Sequence, residues 1–218
     1  MNSGFYNMDC MEAMKQFQDG FFDLAIVDPV YGDVTTGGYM MNHCTGVAKP
    51  KGYHVGIWSQ GKTEKAYFDE LRRVSVNQII WGGNYFADML PSSQCWLVWD
   101  KDKSKGCHYA DCELAWTSFN KAVRMFKYMW NGMLQENMKN KENRIHPTQK
   151  PVALYNWILK NYAKPGDKIL DTHVGSASSL IACHRAGLEY WGFEIDPVYY
   201  ANAKERLDKE LAQVRMDL

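Results

Sequence analysis

The sequence predicts an α/β fold containing a nucleotide-binding βαβ unit, on three observations. Apolar runs of strand length, among them Leu24–Val27, Gln78–Trp81 and Trp96–Trp99, alternate with stretches whose apolar residues recur at helical spacing. Residues 168–194 follow the order strand, turn of small residues, helix, strand, acid. The run Leu24–Val27 ends in Asp28-Pro29-Val30-Tyr31-Gly32, so a carboxylate, a carbonyl beside a proline and an aromatic ring leave one strand end together. That set suits a planar group bearing an amine: the acid and a carbonyl accept its two N–H protons, and the ring stacks on its face. A strand closed by a Pro turn, with Asp28 as a cap, is the plainer alternative.

The 218 residues can bury a sizeable core, and one domain over 1–218 is expected. The 25 basic residues balance 25 acidic ones, so no global field draws the chain to nucleic acid or membrane; an anionic partner must be met by a local patch. The N-terminus has no basic-then-apolar signal, and no uninterrupted apolar run approaches membrane length. Cys10, Cys44, Cys95, Cys107, Cys112 and Cys183 form no C-x-x-C pair, which fits reduced thiols in a cytoplasmic protein. Cys107, His108 and Cys112 match no zinc spacing, and no metal is expected.

A short opening strand leads through Asn7-Met8-Asp9-Cys10 into a small helix with Met14 and Phe17 on one face and Asp9 as its N-cap. After the strand Leu24–Val27 and its acidic end, residues 33–58 read as a long mobile loop. Gly37-Gly38, Asn42, Gly46, Lys49-Pro50-Lys51-Gly52 and Gly56 punctuate it, and loops this long serve as lids or binding loops. From Thr63 a helix turns Tyr67, Leu71 and Val74 inward. Gly82-Gly83-Asn84-Tyr85-Phe86 makes a second strand-end loop between Gln78–Trp81 and Trp96–Trp99.

Cys112–Thr117 is a further strand, followed by an alternating segment from Val123 to Trp130. Between Lys121 and Arg144 six basic residues face two acidic ones, with Phe126, Tyr128 and Trp130 interleaved. This is the one stretch suited to a polyanion with bases to touch; a strand with a solvated basic face is the alternative. His146-Pro-Thr-Gln-Lys-Pro151 opens a helix with Pro151 in its first turn and Leu154, Trp157, Ile158 and Tyr162 inward. Lys164-Pro165-Gly166 stops it. Then come the strand Lys168–Leu170, the turn from Asp171 to Ser179, a helix burying Leu180 and Ile181, and the strand Tyr190–Phe193 ending in Glu194. Asp196 and Pro197 start a last helix whose seam is Tyr200, Ala203, Leu207, Leu211 and Val214.

Glu194 lies 19 residues beyond Gly175, the separation at which an acid ending the second strand grips ribose hydroxyls. The turn has one glycine, Gly175, and lacks the G-x-G-x-x-G that lets a backbone approach a pyrophosphate. A nucleoside without phosphates suits it better. S-adenosylmethionine is such a ligand, with a ribose for the acid and a charged amino-acid end for the polar turn.

Asp28-Pro29-Val30-Tyr31, then His146 to Pro151, then Asp171, Gly175-Ser176 and Glu194, in that order, resemble the β-class DNA amino-methyltransferases. These enzymes methylate the exocyclic amine of adenine (N6) or cytosine (N4). Trp81-Gly82-Gly83-Asn84 and Ala110 to Trp116 look like intervening elements, and the likeness covers nearly the whole chain. The catalytic strand precedes the cofactor turn, as in that family; protein-glutamine methyltransferases, with a similar four-residue motif, have the reverse order. The resemblance implies a Rossmann-like, S-adenosylmethionine-dependent fold: a mostly parallel seven-stranded sheet with helices on both faces. In it the strands carrying Asp28 and Asp171 lie side by side.

The resemblance assigns Asp28, Pro29 and Tyr31 to the target base. It assigns Asp171, Gly175 and Ser176 to the methionine end of the cofactor, Glu194 to the ribose, and Asp9, with Cys10 beside it, to the cofactor adenine. His146, Thr148 and Lys150 close the cofactor pocket, which Asp28 also borders. Lys49, Lys51, Lys121, Arg124, Lys127, Lys139 and Arg144 are the expected contacts to double-stranded DNA, with 120–145 a small recognition segment. The implied reaction is methylation of N6 of a flipped adenine, without metal. Asp at the first motif position favours adenine, since cytosine enzymes more often carry Ser. Cytosine-N4 methylation and a non-catalytic cofactor- or DNA-binding partner subunit are the alternatives, and RNA is compatible with the same pocket. No nuclease motif accompanies these elements, so a restriction activity would sit on a separate chain. Members of the class often dimerise, and a homodimer is expected on that ground alone. Val30 stands where the family usually has Pro, and Thr172-His173 and Ala177 where it has Pro-Phe and Gly; these change shape and not charge.

Overall fold

The computed structural model describes residues 1–32, 54, 62–102, 110–131 and 134–213. The expected 33–58 loop, His54 excepted, lies outside the described residues together with Lys49 and Lys51, as do Cys44, Cys107, His108 and Val214.

Strand β1 (Gly4–Asn7) leads to α1 (Cys10–Met14) and β2 (Phe22–Val27). Next come α2 (Lys65–Val74), β3 (Ser75–Trp81), a 3-10 turn (Gly83–Phe86), β4 (Trp96–Asp100), β5 (Cys112–Thr117) and β6 (Arg124–Lys127). A small pair, β7 (Trp130–Asn131) and β8 (Leu134–Gln135), precedes α3 (Val152–Tyr162), β9 (Lys168–Asp171), α4 (Ser178–Ala186), β10 (Glu189–Glu194) and α5 (Pro197–Leu211).

The main sheet has eight strands in the order β1-β10-β9-β2-β3-β5-β4-β6. Pairing is parallel from β1 through β3, antiparallel on both sides of β5, and parallel again between β4 and β6. This corrects the expected seven strands. The extra edge strand, β6, comes from the segment expected to recognise DNA. It joins the sheet because Phe126 packs inward on Trp157 (ring centroids 5.4 Å apart) and Tyr128 (5.6 Å), while Met125 stays exposed.

Helices cover both faces. On one, α1 and α2 bury Met14, Phe68 and Leu71 against Ala25, Val27 and Ile80; on the other, α3 and α4 bury Leu154, Ile158 and Leu180 against Leu24, Ile26 and Ile79. A strand covered twice must be apolar on both sides, which explains the unbroken Leu24–Val27 run. Gly192 lets α4 close on β10: a Cβ there would come within 2.7 Å of Leu180.

Three helical details differ from expectation. Pro151 is the N-cap of α3, one position before its first turn, and Trp157 is half-buried where it meets Phe126. In α5 the buried seam is Tyr199, Ala203 and Leu207, with Tyr200 half-buried and Leu211 exposed. Capping sets that phase: the Asp196 side chain accepts the N–H groups of Val198 and Tyr199.

As expected, β2 and β9 are neighbours, with Leu24 opposite Ile169 and Ala25 opposite Leu170. From β2 the chain passes through α2 to β3 on one side; from β9 it passes through α4 to β10 on the other. Strand order reverses there, the chain leaves the two strand ends in opposite directions, and a crevice opens beyond them. Among the described residues no helix is long and apolar enough to cross a membrane.

Candidate functional site

A cavity of about 250 Å³ occupies this crevice. Its walls are the end of β2 (Asp28 to Tyr31), the head of α1 (Met8 to Cys10), the segment before α3 (His146, Thr148 to Lys150), the turn Thr172 to Ser176, and the end of β10 (Phe193 to Ile195). Nine of the ten residues expected at the cofactor therefore border one cavity: Asp9, Cys10, Asp28, His146, Thr148, Lys150, Gly175, Ser176 and Glu194. Asp171 stands behind the wall. Its Oδ1 accepts the His173 N–H at 2.9 Å and its Oδ2 the Ser179 hydroxyl, so it shapes the turn and the first turn of α4.

Glu194 is buried and accepts two backbone N–H groups, Gly175 on Oε2 and Asp196 on Oε1, each at 2.9 Å. A carboxylate offers about four acceptor positions, so two remain for a ligand. Asp9 caps α1 through Oδ1, which accepts from Met11 and Glu12. Burial pushes the His146 pKa down to about 3 and the His173 pKa down to about 4, so both rings are neutral. The charged groups on the wall are then Asp9, Asp28, Glu194 and Lys150, and Lys150 is already paired. Among the described residues this wall leaves no unpaired cation for a phosphate, and its acids favour a positively charged nucleoside. The donor set fits S-adenosylmethionine on these grounds. Among the described residues no three His, Cys, Asp or Glu side chains are placed to hold a metal ion.

The other end of the cavity is built on Asp28. Lys150 Nζ donates to its Oδ2 at 2.5 Å and lies 3.1 Å from Glu113 Oε2, while Lys101 pairs with the other oxygen of Glu113. Asp28 Oδ1 is buried and has no hydrogen-bond partner among the described residues. Among the described residues nothing donates to the Pro29 carbonyl either. The Val30 carbonyl, by contrast, accepts both the N–H (2.9 Å) and the hydroxyl (2.8 Å) of Thr63. Tyr31 stacks in parallel on Tyr85, with centroids 4.4 Å apart and planes 4° from coplanar. Gly82 makes room for that ring: its φ is +67°, and a Cβ there would sit 2.7 Å from Tyr31 Cδ1.

Glu113, Lys101, Thr63 and Tyr85 were not singled out from the sequence. Glu113 did leave a signal, as the one acid in the otherwise apolar strand Cys112–Thr117.

The expected DNA contacts do not form one patch. The β4 register pairs Leu97 with Arg124 and Asp100 with Lys127. Lys127 is therefore at the end of the sheet where the cavity opens; Arg124 starts the strand in the row of Trp81, the last residue of β3, and Lys121 lies behind it. Lys121 lies over the Phe119 and Tyr162 rings, and Lys127 pairs with Asp102 at 3.0 Å. Lys139 is exposed, and Arg144 donates to the Pro147 carbonyl beside Trp130.

A family model described as DNA methylase (N6_N4_Mtase) matches residues 57–205. The chain is 29% identical over 174 residues to the type II methyltransferase M2.LlaDCHI of Lactococcus lactis subsp. cremoris, and 28% identical over 175 residues to M2.DpnII of Streptococcus pneumoniae. Each match takes in 75% of this chain and spans 62% or 63% of the relative's length. Among solved structures, M1.HpyAVI superposes with a TM-score of 0.58 at 22% identity, over 93% of this chain and 97% of the other. The cytosine-N4-specific PvuII DNA methyltransferase also gives 0.58, at 14% identity, over 96% and 91%. TTHA0409 of Thermus thermophilus, solved with S-adenosyl-L-methionine, gives 0.57 at 16% identity, over 96% of each chain.

Proposed function

The chain belongs to the DNA methylase family, and we propose that it transfers a methyl group from S-adenosylmethionine to the N6 amine of an adenine flipped out of duplex DNA. One observation carries this. Among the described residues two acceptors at the end of β2, Asp28 Oδ1 and the Pro29 carbonyl, have no hydrogen-bond partner, and Tyr31 follows them at the same cavity. An exocyclic amine brings two N–H donors. Its lone pair is delocalised into the base, so it is a poor nucleophile. Acceptors for both protons favour a pyramidal nitrogen whose lone pair can attack; one fixed contact of this sort contributes about 3 kcal/mol in comparable sites.

When bound, S-adenosylmethionine supplies an electrophilic methyl group on a sulfonium. Glu194 offers its two remaining acceptor positions to the ribose hydroxyls, and Asp9 keeps Oδ2 for the adenine end. The Gly175–Ser176 turn takes the methionine end, and the acidic wall offsets the positive charge. Asp28 is the group we assign to take the proton that the methylated nitrogen sheds. Tyr31 stacks on the base, which helps offset the few kcal/mol that flipping costs.

Unmethylated duplex DNA incubated with the protein and S-adenosylmethionine, then digested to nucleosides for mass spectrometry, tests this. N6-methyladenine is expected, and is expected to vanish with Asp28→Ala. N4-methylcytosine would keep the mechanism and change the base. Cofactor binding with no methylated base would favour a non-catalytic partner subunit.

A further inference from the structure

Beyond the cavity wall, the described residues extend the charges at Asp28 and Lys150 into a largely buried cluster with Glu113 on β5 and with Lys101. It forms an alternating row, Asp28, Lys150, Glu113, Lys101, that runs from the end of β2 past β3 to β5 and the end of β4. Lys150 is nearly inaccessible, with 4% of its side chain exposed, and sits 5.4 Å from the Trp81 ring centroid. A buried ammonium is costly unless its charges and protons are met. Here two carboxylates meet it, one of them the proposed catalytic acid.

We propose that Lys150 and Glu113 are positioning residues: Lys150 pins Oδ2 of Asp28, leaving Oδ1 for the substrate amine, and Glu113 shares Lys150 so that Asp28 stays a strong acceptor. This rests on the methyl-transfer reading above and deepens it. A carboxyl group held by no cation rotates freely and, when buried, protonates. A protonated Asp28 would present a donor where an acceptor is needed. A cation committed to Asp28 alone would withdraw more of its charge. Glu113 divides the cation's protons between two acids, and Lys101 neutralises Glu113 in turn.

Other groups also act on Asp28: Tyr31 beyond its own strand, Asp171 at the end of β9, Tyr155 on α3 and Tyr67 on α2. They are the same in both variants below, so the contrast between the variants isolates the row. Burial pushes the Asp28 pKa up, Lys150 pulls it down and Glu113 raises it. Removing either partner therefore shifts Asp28 in a predictable direction, opposite for the two.

The test uses the full chain with carboxyl-13C aspartate, following Asp28 by NMR against pH, with Asp28→Asn identifying the signal. E113Q is expected to lower the Asp28 titration midpoint, and K150M to raise it. The same variants are then read for tritium transfer from labelled S-adenosylmethionine to unmethylated plasmid DNA. Both should lose at least about tenfold in kcat, E113Q with KM for S-adenosylmethionine unchanged, and the acid limb of the rate should move down in E113Q and up in K150M. K150R should recover part of the rate. E113Q preserves shape and keeps one of the two acceptors, so it keeps the test decisive should K150M fail to fold. Wild-type transfer with E113Q unchanged in rate and Asp28 midpoint overturns this inference alone. Absence of transfer by the wild type overturns the underlying activity, and this inference with it.

Discussion

Asp171 holds its carboxylate where water hardly reaches, at 3% exposure, between the His173 N–H and the Ser179 hydroxyl. Burial pushes its pKa up to about 7; in the unfolded chain it titrates at about 4. Between those values the folded chain holds the extra proton, so Asp171 subtracts stability as pH rises through the window and carries its full penalty above it. Asn has nearly the same shape and can meet both partners. Asp171→Asn is therefore expected to gain on wild type as pH rises, with the difference in urea-unfolding free energy favouring Asn more at pH 8 than at pH 5. A difference that does not vary with pH would mean that Asp171 ionises alike in both states. The turn position of Asp171 was legible from the βαβ order; its retreat behind the wall was not, because that depends on Ser179, in the first turn of the helix. Lys150 illustrates the same limit. Its partner Asp28 lies 122 positions away, and no local pattern reports such a contact.

The end of β2 is an element whose rigidity comes from another element. Val30 does not fix φ as a proline would. Thr63, just ahead of α2, supplies the constraint by donating twice to the Val30 carbonyl. Tyr31 and Lys62 also form a β-bridge beside it. Thr63→Val keeps the backbone bond and the β-branched shape and removes only the hydroxyl bond. A single neutral hydrogen bond is worth about 1 kcal/mol, so unfolding free energy should change by no more than that. The transfer rate should fall further, since small displacements of reacting groups weigh heavily on rate, while S-adenosylmethionine affinity stays the same. Urea melts, calorimetry and single-turnover transfer separate the three. An unaltered rate would mean that Val30 is held by something other than the Thr63 hydroxyl. The strand and the acid at its end were readable from sequence because they follow one another. The substitute for proline was not, because it is 33 residues away.

At the scale of the whole molecule, the sheet decides which charges can meet DNA. Neighbouring β2 and β9 put both halves of the cavity at one end, and the ordered motifs made that much legible. The basic segment from Lys121 to Arg144 looked like one patch because its residues are close in sequence. As a strand, β6 instead carries Lys127 farther toward the cavity end than Arg124, with Lys121 behind both. A flipped base must enter where the cavity opens, so only residues at that end can hold its flanking phosphates. Lys127 is well exposed, and its surface pair with Asp102 is weak enough to yield to a phosphate. Each lost phosphate contact lowers the slope of log Kd against log salt by about one. Lys127→Ala is therefore expected to lower that slope by about one, and Lys121→Ala, at a side chain that sits against Tyr162, to leave it unchanged. Fluorescence anisotropy on a labelled duplex across a salt series reads both. The opposite pattern would set DNA against the far end of the sheet, out of reach of Asp28, and would break the link between the basic segment and the cavity.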